Sequence, residues 1–267
     1  DHYPAIAAKY APEIIPKRLV NYLFERMMRS ILNRCNATIA CSYSLVDYAR
    51  KNGGRNVHRI PNGVEDFFFW DYEKEAIDFR RKFGIRNSDI VLCFVGNIEN
   101  WLEMEELLIA LYLAKKKTKK TIKLFLVGGR LRTNYVNRIE SHVRTLDLGG
   151  NIIRVNFVSH NDVPKYIAAS DICVIPKNVR DPASYYSSPV KLWEYLAQGK
   201  PVISTPIPEV IREANEYVSI ASTHAEYLSC IMAFLEDPSH FVEKAEKGRN
   251  LARERTWAKI AKAYRSL

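Results

Sequence analysis

The residues best suited to chemistry lie together in Ser187-Ser188-Pro189-Val190-Lys191-Leu192-Trp193-Glu194-Tyr195. Ser188 reads as a helix N-cap and Pro189 as the first helical residue, because a hydroxyl satisfies a free amide and proline has none to lose. The helix start then offers unpaired N–H groups and the positive end of the dipole, a ready anion site. Lys191 in the first turn opposes the dipole's preference for acidic residues, which makes sense if it faces a bound anion. Glu194, three residues on, shares its face. A lysine for phosphate and a carboxylate accepting hydroxyl groups suit a nucleotide sugar; the plainer alternative is a surface salt bridge one turn long.

Three other loops offer backbone to a phosphorylated ligand. Gly96-Asn97 follows the apolar run Ile90–Val95, and a glycine there lets main chain approach a ligand closely. Gly128-Gly129-Arg130 follows Ile122–Val127. Two glycines and an arginine can cradle a diphosphate, although a tight turn needs the same glycines. Val158-Ser159-His160-Asn161-Asp162 offers backbone groups to a base edge, with Asn161 or Asp162 capping the next helix as the alternative. No nucleophile triad, metal-ligand cluster or Walker loop occurs in the sequence.

These loops need a scaffold that points them the same way. Candidate strands are Ala37–Cys41, Val57–Ile60, Ile90–Val95, Ile122–Val127, Ile152–Phe157, Ile172–Ile175, Pro201–Ser204 and Tyr217–Ile220. Most are apolar throughout, as in a parallel sheet covered on both faces. Helical patterns lie between them at Met104–Lys117, Tyr135–Leu146, Val163–Ala169 and Val190–Gln198. Strand–helix alternation predicts a doubly wound α/β fold, whose ligands bind at the carboxyl ends of the strands. Pro61-Asn62-Gly63 is turn chemistry before the aromatic run Phe67-Phe68-Phe69-Trp70, and suits a crossover between domains. Beyond residue 222 the pattern is helical to the end, broken once at Asp237-Pro238. The stretch Pro16–Arg34 is an amphipathic helix candidate with Leu19, Val20, Leu23, Phe24, Met27, Met28, Ile31 and Leu32 in its apolar stripe, packed on a sheet or lying at a membrane interface.

Forty basic against thirty acidic residues give a formal charge of +10, matching attraction to anionic phosphates or an anionic membrane surface as well as simple solubility. The basic residues are dispersed and no nucleic-acid motif accompanies them, so nucleic acid is not the expected partner. Cys35, Cys41, Cys93, Cys173 and Cys230 lack zinc-ligand spacing and read as reduced cysteines of an intracellular protein. No run is long and apolar enough for a transmembrane helix, and no signal peptide opens the chain at Asp1-His2-Tyr3-Pro4, which lacks a methionine.

Taken together, the motifs resemble the retaining glycosyltransferases of family 4, whose GT-B fold sets two Rossmann-like domains face to face. Val57-His58-Arg59-Ile60-Pro61-Asn62-Gly63-Val64-Glu65 is similar to the family's strand and PNGVD element, and Ile90–Gly96 to its first donor-domain strand and glycine loop. Ser188–Val202 is similar to its PxKLxEYLAxGxPV element, and Ala169-Ser170-Asp171-Ile172 to its strand entry. Asn97 and Leu102 stand where commoner members carry diphosphate-binding arginine and lysine, and Tyr186 replaces the first of a glutamate pair completed by Glu194.

The resemblance implies the remnant of an acceptor domain over residues 1–60, a crossover over 61–72, a nucleotide-sugar-binding Rossmann-like domain over 73–235, and helices over 236–267 packing back on the acceptor side. A further stretch of acceptor domain would precede Asp1, leaving this piece able to bind donor but inactive alone. Transfer would be retaining, from a UDP- or GDP-sugar and without cofactor or metal, to a glycan or lipid-linked acceptor. The setting would be the cytoplasm, with peripheral contact at the inner face of an anionic membrane. Lys191 and Glu194 would carry the chemistry. Gly96, Asn97, Gly129, Arg130, Val158, Ser187, Ser188, Pro189, Val190 and Leu192 would line the donor site. A sugar-nucleotide epimerase of the same fold and a non-catalytic nucleotide-sugar-binding module are the rival readings.

Overall fold

The computed structural model describes Ala7 and residues 15–128 and 133–265. Gly129 and Arg130, both expected at the donor site, lie outside the described residues. From residue 15 the described chain runs through helix α1 (Lys17–Arg34), strand β1 (Thr38–Ala40), helix α2 (Tyr43–Lys51) and strand β2 (Val57–Arg59). These two strands pair in parallel as a sheet of their own. A 3-10 turn (Asp66–Phe69) and α3 (Glu73–Lys82) lead into β3 (Ile90–Val95), α4 (Met104–Lys117), β4 (Ile122–Val127), α5 (Asn134–Thr145) and β5 (Ile152–Val155). A second 3-10 turn (His160–Asp162), α6 (Val163–Ala168), β6 (Ile172–Ile175), the single turn α7 (Pro182–Tyr185), α8 (Val190–Ala197) and β7 (Val202–Ser204) follow. The chain closes with α9 (Pro208–Ala214), β8 (Ser219–Ile220), α10 (His224–Glu236), α11 (Pro238–Arg253) and α12 (Trp257–Arg265).

The main sheet runs β5-β4-β3-β6-β7-β8, parallel throughout. Successive side chains of a strand point to opposite faces, and both faces here are apolar. Leu92 and Phe94 of β3, with Leu124 and Leu126 of β4, join one core with α4, α5 and α10. Val91, Cys93 and Val95, with Phe125 and Val127, join the other with α6, α8 and α11. From β3 the chain winds outward to β4 and β5, then returns to lay β6 on the other side of β3. That reversal is the switch point at which doubly wound sheets open a crevice. Asp171 pins the seam: its Oδ2 accepts the Val91 amide at 2.7 Å and pairs with Arg80 at 3.3 Å.

Three local expectations change. The helix after Pro189 starts at Val190, with Pro189 as N-cap and no side-chain cap, because Ser188 is bound to Asn62 instead. Neither Asn161 nor Asp162 caps α6 through its side chain; the Asp162 carboxylate pairs with Lys165 at 2.7 Å. The stripe of α1 is only partly covered: Leu32 is buried and Val20, Phe24 and Met28 are part-buried, while Leu19, Leu23, Met27 and Ile31 are exposed. Two short strands give that helix too little apolar surface to cover it. Cys93 and Cys173 face each other across β3 and β6, buried and free, as expected for core cysteines.

Candidate functional site

The carboxyl ends of β3 and β6 and the start of α8 converge on a cavity of about 550 Å³. Of the expected residues, Gly96, Asn97, Ser187, Ser188, Pro189, Val190 and Lys191 line it. Beside it a smaller cavity of about 200 Å³ shares Gly96, Asn97 and Lys191 and adds Gly128, Phe157, Val158 and His160. Loops far apart in sequence thus meet at the crevice.

Gly96 ends β3 at φ +151° and Gly128 ends β4 at φ +146°, a region that side chains rarely enter. A Cβ on Gly128 would run into the Gly96 carbonyl, so the two turns are nested backbone against backbone. Helix α8 is aimed by Tyr195, whose buried hydroxyl accepts the Val95 amide at 2.9 Å. Burial holds that phenol well above its ordinary pKa, so it stays neutral. With Pro189 fixed in extended backbone and the Leu192 amide bonded to Pro189 O at 3.1 Å, the amides of Val190 and Lys191 are left without backbone acceptors. These are the donors a helix start gives to an anion.

Lys191 and Glu194 do share a face, but not as a surface pair. Glu194 is 1% exposed, and its Oε2 holds Lys191 Nζ at 2.6 Å. Its Oε1 has a looser 3.3 Å contact with Nε2 of His160, a half-exposed ring packed against Phe67 and Phe68. Glu194 therefore lies beneath the cavity wall, orienting Lys191, with one oxygen lightly engaged. Leu192 is not at the site: its side chain is fully buried in the core and its amide is spent on Pro189.

Sequence reasoning assigned no site role to the side chains of Asn62, Trp101, Lys177 and Tyr195, which line the larger cavity, nor to the ring of His160, which lines the smaller one. Asn62 arrives from the crossover, its Nδ2 donating to Ser188 O at 2.7 Å. Trp101 O receives the Asn178 amide at 2.8 Å and Ser184 Oγ at 2.9 Å, closing the far end. Lys177 had a signal, since it closely follows an apolar strand end, as the other chosen loops do. Among the described residues no three His, Cys, Asp or Glu side chains gather as for a metal, and no helix is long and apolar enough to cross a membrane.

Known proteins resemble this chain in sequence and in fold. A teichuronic acid biosynthesis glycosyltransferase of Bacillus subtilis (strain 168), TuaH, a provisional assignment, is 29% identical over 234 residues, 85% of this chain and 55% of its own length. This chain thus spans about half the length of that relative. Anabaena Alr3699/HepE, solved with UDP and glucose, matches with a TM-score of 0.75 at 19% identity, over 91% of this chain and 67% of its own. Sucrose-phosphate synthase from Thermosynechococcus elongatus matches with a TM-score of 0.78 at 19% identity, over 99% of this chain and 66% of its own. At such identities the likeness establishes the fold, the Rossmann-like α/β architecture of GT-B glycosyltransferases. The family model described as glycosyl transferases group 1 matches residues 75–255, well over half of the chain and the whole of the sheet that builds the crevice, so this chain belongs to that family.

Proposed function

We propose that this chain holds the donor of a retaining glycosyl transfer, a UDP- or GDP-sugar. The carrying observation is the meeting, at one crevice, of a helix start with free amides, a nested pair of glycine turns and an oriented lysine. The diphosphate lies against the amides of Val190 and Lys191 and the Lys191 ammonium. These groups are pre-aimed at the charge that grows on the leaving diphosphate, which is where such stabilisation accelerates transfer. The base occupies the smaller cavity, against the largely exposed ring of Phe157 and the backbone near Val158. Ribose hydroxyls displace His160 from Glu194 Oε1. The bound UDP of the Anabaena neighbour makes uridine the first nucleotide to try. The Bacillus relative makes an acceptor of the class used in teichuronic acid biosynthesis the first glycan or lipid-linked acceptor. We assign the protein to the cytoplasm, with its basic surface resting on an anionic membrane.

Thermal unfolding with UDP, GDP and their sugars is the direct test. UDP or GDP at about a hundred times its Kd is expected to add about 2.7 kcal/mol of stability, equally with magnesium and with chelator. Stabilisation that disappears with chelator sinks the metal-independent arrangement, and none with any nucleotide sinks the donor assignment. Glu194→Gln is expected to weaken nucleoside diphosphate binding by about 1.5–3 kcal/mol and pyrophosphate binding by much less. Equal losses for both ligands remove Glu194 from the ribose.

A further inference from the structure

Lys177 stands two residues past the end of β6, on a loop whose main chain is tightly held. Its amide donates to Ile175 O at 3.1 Å, and it pairs with Leu102 in an isolated antiparallel bridge. The flanking Pro176 O accepts the Glu103 amide at 2.7 Å. The side chain lines the larger cavity together with Gly96, Asn97 and Lys191.

Other lysines near the sheet are satisfied by protein. Lys200 Nζ donates to Ala168 O and Ser170 O, both at 2.7 Å, and Lys191 rests on Glu194. The Lys177 ammonium has neither a hydrogen bond nor an ion pair among the described residues, although the side chain is part-buried in the cavity lining. A desolvated ammonium without a partner is a standing cost, and it is removed when an anion arrives. The charge count of the cavity points the same way. Glu194 neutralises Lys191, so among the described lining residues Lys177 is the cation without an ion-pair partner, facing a diphosphate that carries more negative charge than one lysine offsets.

We propose, resting on the donor reading above, that Lys177 is a diphosphate-binding residue, its ammonium contacting the phosphate oxygens on the β6 side of the cavity while Lys191 and the α8 amides contact them from the other element. Burial lowers the Lys177 pKa to about 8, with Asp181 pulling it partly back up. The titratable groups around it are Lys191 and Tyr195 of α8, Cys41 beyond β1, and Asp181 on its own loop. A bound diphosphate raises the pKa of Lys177, so binding takes up a proton above pH 8. Affinity is then level below about pH 8 and falls as pH rises past it. In the unbound protein the sign is reversed. The unfolded chain holds the Lys177 proton to higher pH than the folded one, so stability rises with pH above about 8.

The test is calorimetric titration of wild type, Lys177→Met and Lys177→Arg with UDP, pyrophosphate and uridine. Lys177→Met is expected to bind UDP and pyrophosphate about tenfold to a hundredfold more weakly, to bind uridine as wild type does, and to lose the decline above pH 8. Lys177→Arg keeps most of the affinity and moves the decline to higher pH. A structural lysine would lower the melting temperature when replaced, whereas unliganded Lys177→Met melts at or above wild type. Binding of UDP by Lys177→Met within about twofold of wild type overturns this role and leaves the donor reading standing. Failure of wild type to bind UDP or GDP removes both. Wild type alone supplies an independent check: proton uptake on UDP binding at about pH 8.5, read in buffers of different ionisation heat. No uptake there overturns the proposal even if the methionine variant fails to fold.

Discussion

Replacing Glu213 by alanine is expected to cost about 3–5 kcal/mol of stability, seen as a large drop in the urea midpoint with an unchanged slope. Glu213 is almost fully buried on α9 and holds two guanidinium groups from distant parts of the chain. Arg59, at the end of β2, reaches it at 2.6 Å and also pairs with Glu209 at 2.6 Å. Arg255, just beyond α11, binds its second oxygen and lies over the Trp193 ring, 5.4 Å from the centroid. Removing the carboxylate strands the part-buried Arg255 guanidinium and leaves Arg59 to Glu209 alone, and loss of one partner is what makes such clusters costly. Nε of Arg59 and Nε of Arg255 already lack an acceptor, so the cluster has little spare capacity on the Arg255 side. Glu213→Gln, which keeps the shape and loses the charge, should fall between the two. A loss below about 1 kcal/mol, the value of an exposed pair, shows that water solvates these arginines and that the junction is not dry.

Gly128→Ala is expected to abolish nucleotide binding and to cost roughly 3–5 kcal/mol, the sum of strain at a disfavoured φ and of overpacking. The added methyl meets a backbone carbonyl, that of Gly96, and backbone cannot rotate away as a side chain would. Relief requires the ends of β3 and β4 to part, yet Gly96 N donates to Val127 O at 2.9 Å and the two strands pair along their full length. Gly149→Ala is the control, because nothing lies within reach of its added carbon. A Gly128→Ala protein that binds UDP normally would mean the two turns are not part of the donor site.

The sheet was legible because its strands speak locally. Ile90–Val95, Ile122–Val127 and Ile172–Ile175 are short apolar runs bounded by polar turns, and all three emerge with the expected bounds. Their order was not legible, since pairing of Leu92 with Ile172 is settled by how eighty residues between them fold back. The α8 lysine and glutamate were readable from spacing, because helical geometry fixes which residues share a face. That Glu194 would be buried was not, since its burial comes from His160 and from Phe67 and Phe68, brought by other loops. Ser188 misled for a similar reason. A serine before a proline and a helix is the ordinary cap, and only Asn62, arriving from the far side of the sheet, takes it for another use. Lys177 looked like any loop lysine until the structure placed it, part-buried, in the lining of the larger cavity.

The hydrogen bond from Asn62 to Ser188 O has a thermodynamic consequence. It ties the main chain leaving the β1–β2 sheet to the residue before the α8 start, so the two cannot shift independently. Any binding event that pulls on residues 60–63 is felt at the α8 amides. The influence must run back with equal strength, because a coupling free energy belongs to both sites at once. If that link carries the usual 1–3 kcal/mol, a ligand on the β1–β2 side changes nucleotide affinity by about fivefold to 150-fold. Nucleotide would then change that ligand's affinity by the same factor.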